Sequence, residues 1–140
     1  MYPSFRPLLA AALVSLAACQ KAPVEPAGPI SLVGRWAFTQ TTGGIAGITY
    51  QANSSQRREI DFAPNGQAQF LLNGAVLSTT SYMLIPVTQR PRTFVEYANG
   101  RRDFIKELTA TRLVLDDNFA DFADGFVTTY ARQAPTQSGQ

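Results

Sequence analysis

The sequence predicts an all-β protein, an antiparallel up-and-down β-barrel of about eight strands. Three observations predict it. Short stretches alternate apolar and polar side chains with period two, the spacing of a half-buried strand. The dipeptides Asn65-Gly66, Asn73-Gly74, Asn99-Gly100 and Asp124-Gly125 punctuate those stretches, and such pairs tolerate the positive φ of tight hairpins. No stretch carries an apolar stripe of helical period over a useful length.

The strands follow in order. In "SLVGRWAFTQ" (31–40), Leu32, Gly34, Trp36 and Phe38 share one face, and Val33, Arg35, Ala37 and Thr39 share the other. The following "TTGGIAGITYQANSS" (41–55) reads as a long loop, either a mobile lid or a flat seal over the barrel end. Strand 56–63 sets Ile60 and Phe62 against Glu59 and Asp61, and strand 67–73 aligns Ala68, Phe70 and Leu72. Strands 75–85, 92–98 and 101–108 follow, and strand 111–117 places Leu113 and Leu115 together. Strand 125–132 closes the series with Phe126, Thr128, Tyr130 and Arg132 on one side. An even strand count starts the first strand and ends the last at the same end of a closed barrel. Trp36 and Arg132 then share a face and a level, in reach of a cation–π contact. The connections near 64–66, 86–91 and 109–110 fall at that end. Those at 41–55, 73–74, 99–100 and 116–125 fall at the other.

The ends of the chain carry separate information. Arg6, the apolar run from Leu8 to Ala18 and the small residues before position 19 have the layout of a secretory signal over residues 1–18. The apolar run is too short to span a bilayer, which takes about 20 residues. Leu16-Ala17-Ala18-Cys19 resembles a bacterial lipobox, which implies that Cys19, the only cysteine, takes a diacylglycerol, becomes the first residue on cleavage and is then acylated. The alternative is a plain signal peptide with a chance cysteine. Gln20 follows where an Asp would signal inner-membrane retention, so the resemblance implies an outer-membrane anchor facing the periplasm or the cell surface. Residues 19–30 read as a Pro-rich tether, 31–132 as the domain and 133–140 as a polar, disordered tail.

Composition excludes several functions. The chain has 12 Lys and Arg against 10 Asp and Glu, and loss of Arg6 leaves 11 − 10 = +1, too little for a nucleic-acid footprint. Arg57-Arg58 and Arg101-Arg102 read as solvated strand ends, with anionic head groups as the alternative. There is no histidine, which removes Ser-His-Asp and Cys-His nucleophiles and most zinc sites. No phosphate-binding glycine loop is present. Asp116, Asp117, Asp121 and Asp124 in "DDNFADFADGF" offer oxygen ligands that could bind Ca²⁺, but their spacing is not that of the EF-hand loop. That stretch reads as an acidic turn with Phe119 and Phe122 folded over the barrel end, or as a mouth loop whose phenylalanines meet a ligand. Most of the remaining acids are expected to alternate outward. No catalytic residue, cofactor or metal site is expected.

Gly34-Arg35-Trp36 on the first strand, with Arg132 after Tyr130 on the last, resembles the lipocalin pattern. The fuller set resembles small bacterial lipocalin-like lipoproteins. It comprises the Leu32-x-Gly34-x-Trp36 start, Gly43-Gly44-x-x-Gly47, Phe62-x-x-x-Gly66, Leu108-Thr109 with Leu113-x-Leu115, and Tyr130-x-Arg132. The resemblance implies a structural floor of Gly34, Trp36 and Arg132. It also implies a non-catalytic, membrane-anchored protein that takes a small hydrophobic ligand at the opposite mouth, where Ile45, Ile48, Tyr50, Phe119 and Phe122 are the candidate residues. The domain is shorter than animal lipocalins and lacks their helix and disulfide. Eight strands enclose a space that side chains fill or that holds one small ligand. The alternative is therefore a solid barrel with a structural role, or one that binds an envelope protein.

Overall fold

A computed structural model of the chain describes residues 30–87, 92–117 and 124–134. The signal segment, Cys19, nearly all of the tether, Phe119, Asp121, Phe122 and most of the tail lie outside the described residues. The described chain is all β, with strands β1 (Gly34–Gly43), β2 (Ile48–Gln51), β3 (Arg58–Phe62), β4 (Gln67–Leu72), β5 (Ala75–Val87), β6 (Arg92–Tyr97), β7 (Arg102–Leu108), β8 (Arg112–Asp116) and β9 (Phe126–Arg132). Every pairing is antiparallel.

Eight of these strands close a barrel in the order β1-β3-β4-β5-β6-β7-β8-β9, and β9 pairs back onto β1. The meander, the closure and the strand positions agree with the sequence pattern. The region 41–55 does not. Instead of a loop, β1 runs on to Gly43, turns through residues 44–47 and returns as β2, pairing Gln40↔Gln51 to Gly43↔Ile48. β-Branched threonines favour this extension, and the Thr42 and Thr49 hydroxyls meet at 2.8 Å across it.

The seam between β1 and β9 runs from Trp36↔Arg132 to Gly43↔Phe126 and contains one bulge, between Phe38 and Gln40. The bulge takes up a single residue, Thr39, and so keeps Thr41 on the inner face opposite Thr128. At the far end of the seam a Cβ on Gly43 would sit 2.2 Å from the carbonyl oxygen of Gly125. Only glycine lets the two backbones come this close.

β5 is shared between two neighbours. Its first half, to Ser81, pairs with β4, and its second half, from Tyr82, pairs with β6. Tyr82 stands at the crossover, with its ring edge-on to Phe62 at 5.0 Å and its hydroxyl donating to Ala63 O at 3.1 Å.

The core fills one half of the barrel. Trp36, Phe62, Val95, Tyr97, Leu113 and Leu115 form it, with Leu32 folded in from ahead of β1. Trp36 is fully buried, and its Nε1–H donates to Leu32 O at 2.8 Å. The Arg132 guanidinium lies 4.2 Å from the Trp36 ring centroid. It donates through Nη1 to Val33 O at 2.9 Å and through Nη2 to Ser31 O. Gly34 has φ of 131° and a Cβ there would meet Arg132 Nη1 at 2.7 Å, so the glycine supplies both the backbone turn and the space for the guanidinium. The connections at 63–66 and 109–111 lie at this closed end, since Gly34 pairs with Phe62 and Arg132 N–H donates to Thr111 O.

Candidate functional site

The other half of the barrel is hollow. A cavity of about 510 Å³ opens at the end away from Trp36. Alternation from the core predicts its walls. Counting outward from Trp36, Ile60, Ala68 and Arg132, the next inward positions are Phe38, Arg58, Phe70, Leu72, Tyr130 and Thr128, and all six line it. Phe126 and Leu77 stand at the rim. The Phe38 and Tyr130 rings meet edge to face at 6.3 Å, and Phe70 tilts against Tyr97 at 5.8 Å, which makes a rigid aromatic base. The Thr41 and Thr128 hydroxyls bond to each other at 2.9 Å, so this part of the wall presents no free hydroxyl pair.

The opening exists because β1 leaves β3. Their pairing ends at Ala37↔Glu59, and beyond that level β1 pairs with β2 instead. A second hollow of about 420 Å³ occupies the resulting gap and shares Phe38, Thr41, Arg58 and Phe126 with the first. Tyr50 lines this gap. Of the other candidate mouth residues, Ile45 is 91% exposed at the hairpin turn and Ile48 is 50% exposed, and neither lines either hollow. Phe119 and Phe122 lie outside the described residues.

The two arginine pairs are not uniformly solvated ends. Strand alternation divides each pair. Arg57 points outward and its Nη2 donates to Glu59 at 2.7 Å, while Arg58 turns inward with its guanidinium 5.8 Å from the Phe38 ring. Arg102 lies outward against Glu96 at 2.7 Å, and Arg101 reaches inward to the cavity. Arg101 grips Asp103 with two bonds, Nε to Oδ1 at 3.0 Å and Nη2 to Oδ2 at 2.8 Å, and lies 5.5 Å from the Tyr97 ring.

Asp103 is an exception to the outward alternation expected of most of the acids. It faces the interior, fully buried, in register with Val95. Burial pushes its carboxyl above the ordinary range, and Arg101 pulls only part of the way back. Burial opposes the Arg101 charge as well, but Asp103 outweighs it and lifts the guanidinium above its ordinary value. Desolvation first, then the nearby Asp103 charge, raises the Tyr97 phenol well above its usual value and pushes Tyr130 up to about 12. The Tyr97 hydroxyl is buried and makes no hydrogen bond of good geometry among the described residues, although the Asp103 carboxylate lies close enough to act on it.

The acidic stretch is engaged locally where it is described. Asp116 pairs with Lys106 at 3.0 Å, and Asp117 accepts the Phe126 N–H at 2.6 Å, which fixes the start of β9. Among the described residues, no group of three or more metal-ligating side chains comes together.

Sequence reasoning missed Arg58, Arg101, Phe126 and Tyr130 as cavity residues. A usable signal was present for Arg58, which has the parity of Ile60 and Phe62, and for Arg101, which has the parity of Asp103 and Ile105. Comparison with protein-family models, with curated proteins and with solved structures found no match to this chain.

Proposed function

We propose that this protein is a non-catalytic, lipid-anchored binding module of the lipocalin-like kind, which takes one small hydrophobic ligand into the open half of its barrel. The observation that carries the reading is the cavity of about 510 Å³, within the range of about 300–1,000 Å³ that small-molecule sites occupy. Its base is apolar and aromatic, Arg58 and Arg101 add charged groups to its lining, and the filled half beneath it makes a rigid support. The Arg132 clamp on Ser31 and Val33 supports the assignment of Gly34, Trp36 and Arg132 to a structural floor.

The anchor belongs to the same proposal. Leu32 is pinned beneath Trp36, so the chain ahead of the barrel leaves from the closed end. With Cys19 lipidated, the closed end faces the outer membrane and the mouth faces the aqueous compartment. Acyl chains at that cysteine hold the protein stably, since each buried CH₂ contributes about 0.8 kcal/mol.

Native mass spectrometry on the mature protein, extracted gently from its own membranes, tests both parts. The expected spectrum shows a mass increase at Cys19 for the acyl chains and a second, non-covalent molecule at one per protein. A chain that carries no ligand and also fails to take up alkyl probes would remove the binding reading and leave the structural or protein-interaction alternative. An unmodified Cys19 would remove the anchor.

A further inference from the structure

The charge balance at the mouth points to the class of ligand. Three ionised residues line the cavity: Arg58, Glu59 and Arg101. Glu59 is committed to Arg57 at 2.7 Å and Arg101 to Asp103 at 2.8 Å, so two of the three charges are already answered. Arg58 is the exception. Among the described residues it has no carboxylate partner, and its guanidinium lies against the Phe38 ring. It stands at the level of Leu72, exposed to water at the rim, above the apolar base of Ile60, Phe70 and Tyr130. Arg57 and Arg58 are adjacent in sequence, yet only Arg57 has a carboxylate placed two residues on along its own face.

We infer that the cavity selects a slim amphiphile with an anionic head group. Its apolar body lies between Phe38, Phe70, Leu72 and Phe126, and its head is held at the rim by Arg58. The inference rests on the cavity being a ligand site and adds the chemistry of the ligand. A planar guanidinium offers paired donors to a carboxylate or to a phosphate oxygen pair, and it does so here without first breaking an ion pair. The head remains in water, so the ligand does not have to shed its full hydration to bind. The body gains affinity by about fourfold for each methylene that enters. Asp116 and Asp117 of the neighbouring connection do not pair with Arg58, because Asp116 is turned to Lys106 and Asp117 holds the Phe126 amide.

Isothermal titration of the folded domain with dodecanoate, dodecanol and dodecylammonium, each below its aggregation concentration, tests the inference. Dodecyl phosphate, as a fourth probe, separates a preference for carboxylate from one for phosphate. The expected order is an anionic probe first, tighter than dodecanol by about tenfold, with dodecylammonium weakest. Arg58→Gln is expected to abolish the difference between dodecanoate and dodecanol while both still bind, and Arg58→Lys to restore part of it. Arg35→Gln removes the same formal charge at the closed end, where Arg35 pairs with Asp61, and is expected to leave the order unchanged. Circular dichroism confirms that each variant is folded. Equal binding of dodecanoate and dodecanol by the native chain overturns the charge selection but leaves the cavity reading standing. A preference that survives Arg58→Gln overturns the role of Arg58. Failure of every probe to bind overturns both the inference and the cavity reading.

Discussion

Tyr97 shows how individual residues divide the labour inside the barrel. Its ring belongs to the core, tilted on Phe70 and covered by the Arg101 guanidinium, while its hydroxyl is buried and makes no hydrogen bond of good geometry among the described residues. An unmade hydrogen bond costs the desolvation of the group, whereas removing the group costs nothing further when the shape is kept. Tyr97→Phe is therefore expected to leave stability unchanged or to raise it by about 1 kcal/mol. Urea denaturation of the two proteins checks this, and a loss of more than about 1 kcal/mol would mean that the hydroxyl is bonded, with Asp103 the nearest strong acceptor to suspect. Arg132 is the opposite case, because its guanidinium bonds the carbonyls of Ser31 and Val33 and covers the Trp36 face at once. Lysine could supply the charge there but not the flat stack with paired donors.

At the scale of elements, the β1–β9 seam closes the barrel and has a single narrow point. A Cβ at residue 43 would lie 2.2 Å from Gly125 O and 2.7 Å from the Phe126 Cα, and both are backbone atoms that cannot step aside. Gly43→Ala is expected to open the mouth end of the seam and to destabilise the domain by about 1–3 kcal/mol. Amide exchange should speed up at Thr42 and its partner Val127 and stay slow at Ala37 and Ala131. Uniform behaviour along the seam would contradict this. Most of the barrel strands were legible because they follow the period-two rule and are bounded by turn residues, while β5 read as a strand of ambiguous face because "VLSTTSYMLI" shows no clear alternation. β2 was not, because "ITYQ" is short and wholly exposed, so it shows no buried face for a pattern to reveal. The bulge at Thr39 leaves no mark in the sequence either, since any residue can occupy it. Of the candidate site, the end of the barrel was legible from loop parity. The residues were not, because loop aromatics are more conspicuous in a sequence than an arginine that alternation turns inward. Arg58 and Arg101 each sit beside an outward arginine, and a doubled charge looks solvated until the strand divides it.

The whole molecule is a barrel filled at one end and hollow at the other, with Asp103, Arg101, Tyr97 and Tyr130 near the boundary. A hollow half contributes little to stability, so the buried ionisable groups carry more weight than they would in a solid core. The phenols set the alkaline limit. Tyr130 ionises near 10 in an unfolded chain and at about 12 in the folded one, because burial and the Asp103 charge disfavour the phenolate. Below pH 10 both states keep the proton and the group adds no pH dependence. Between pH 10 and about 12 the unfolded chain releases it and the folded chain does not, so stability falls with rising pH. One such group gives a slope of about 1.4 kcal/mol per pH unit in that window, and Tyr97 and Tyr82, both raised by burial, steepen it. Asp103 acts in the same sense at the acid end. Its raised carboxyl makes the folded state bind a proton before the unfolded state does, so its contribution grows as pH falls toward 3.8, against the usual acid-denaturation trend. Denaturation midpoints of the folded domain carrying Tyr50→Phe, which removes the exposed phenol, measured from pH 9 to 11.5 with tyrosinate absorbance followed in parallel, should show the midpoint dropping above pH 10 and phenolate appearing together with unfolding. Tyrosinate signal from Tyr82, Tyr97 and Tyr130 in a chain that remains folded at pH 10.5 would mean that water reaches the phenols through the cavity. Filling the hollow half with dodecanoate should then suppress that signal.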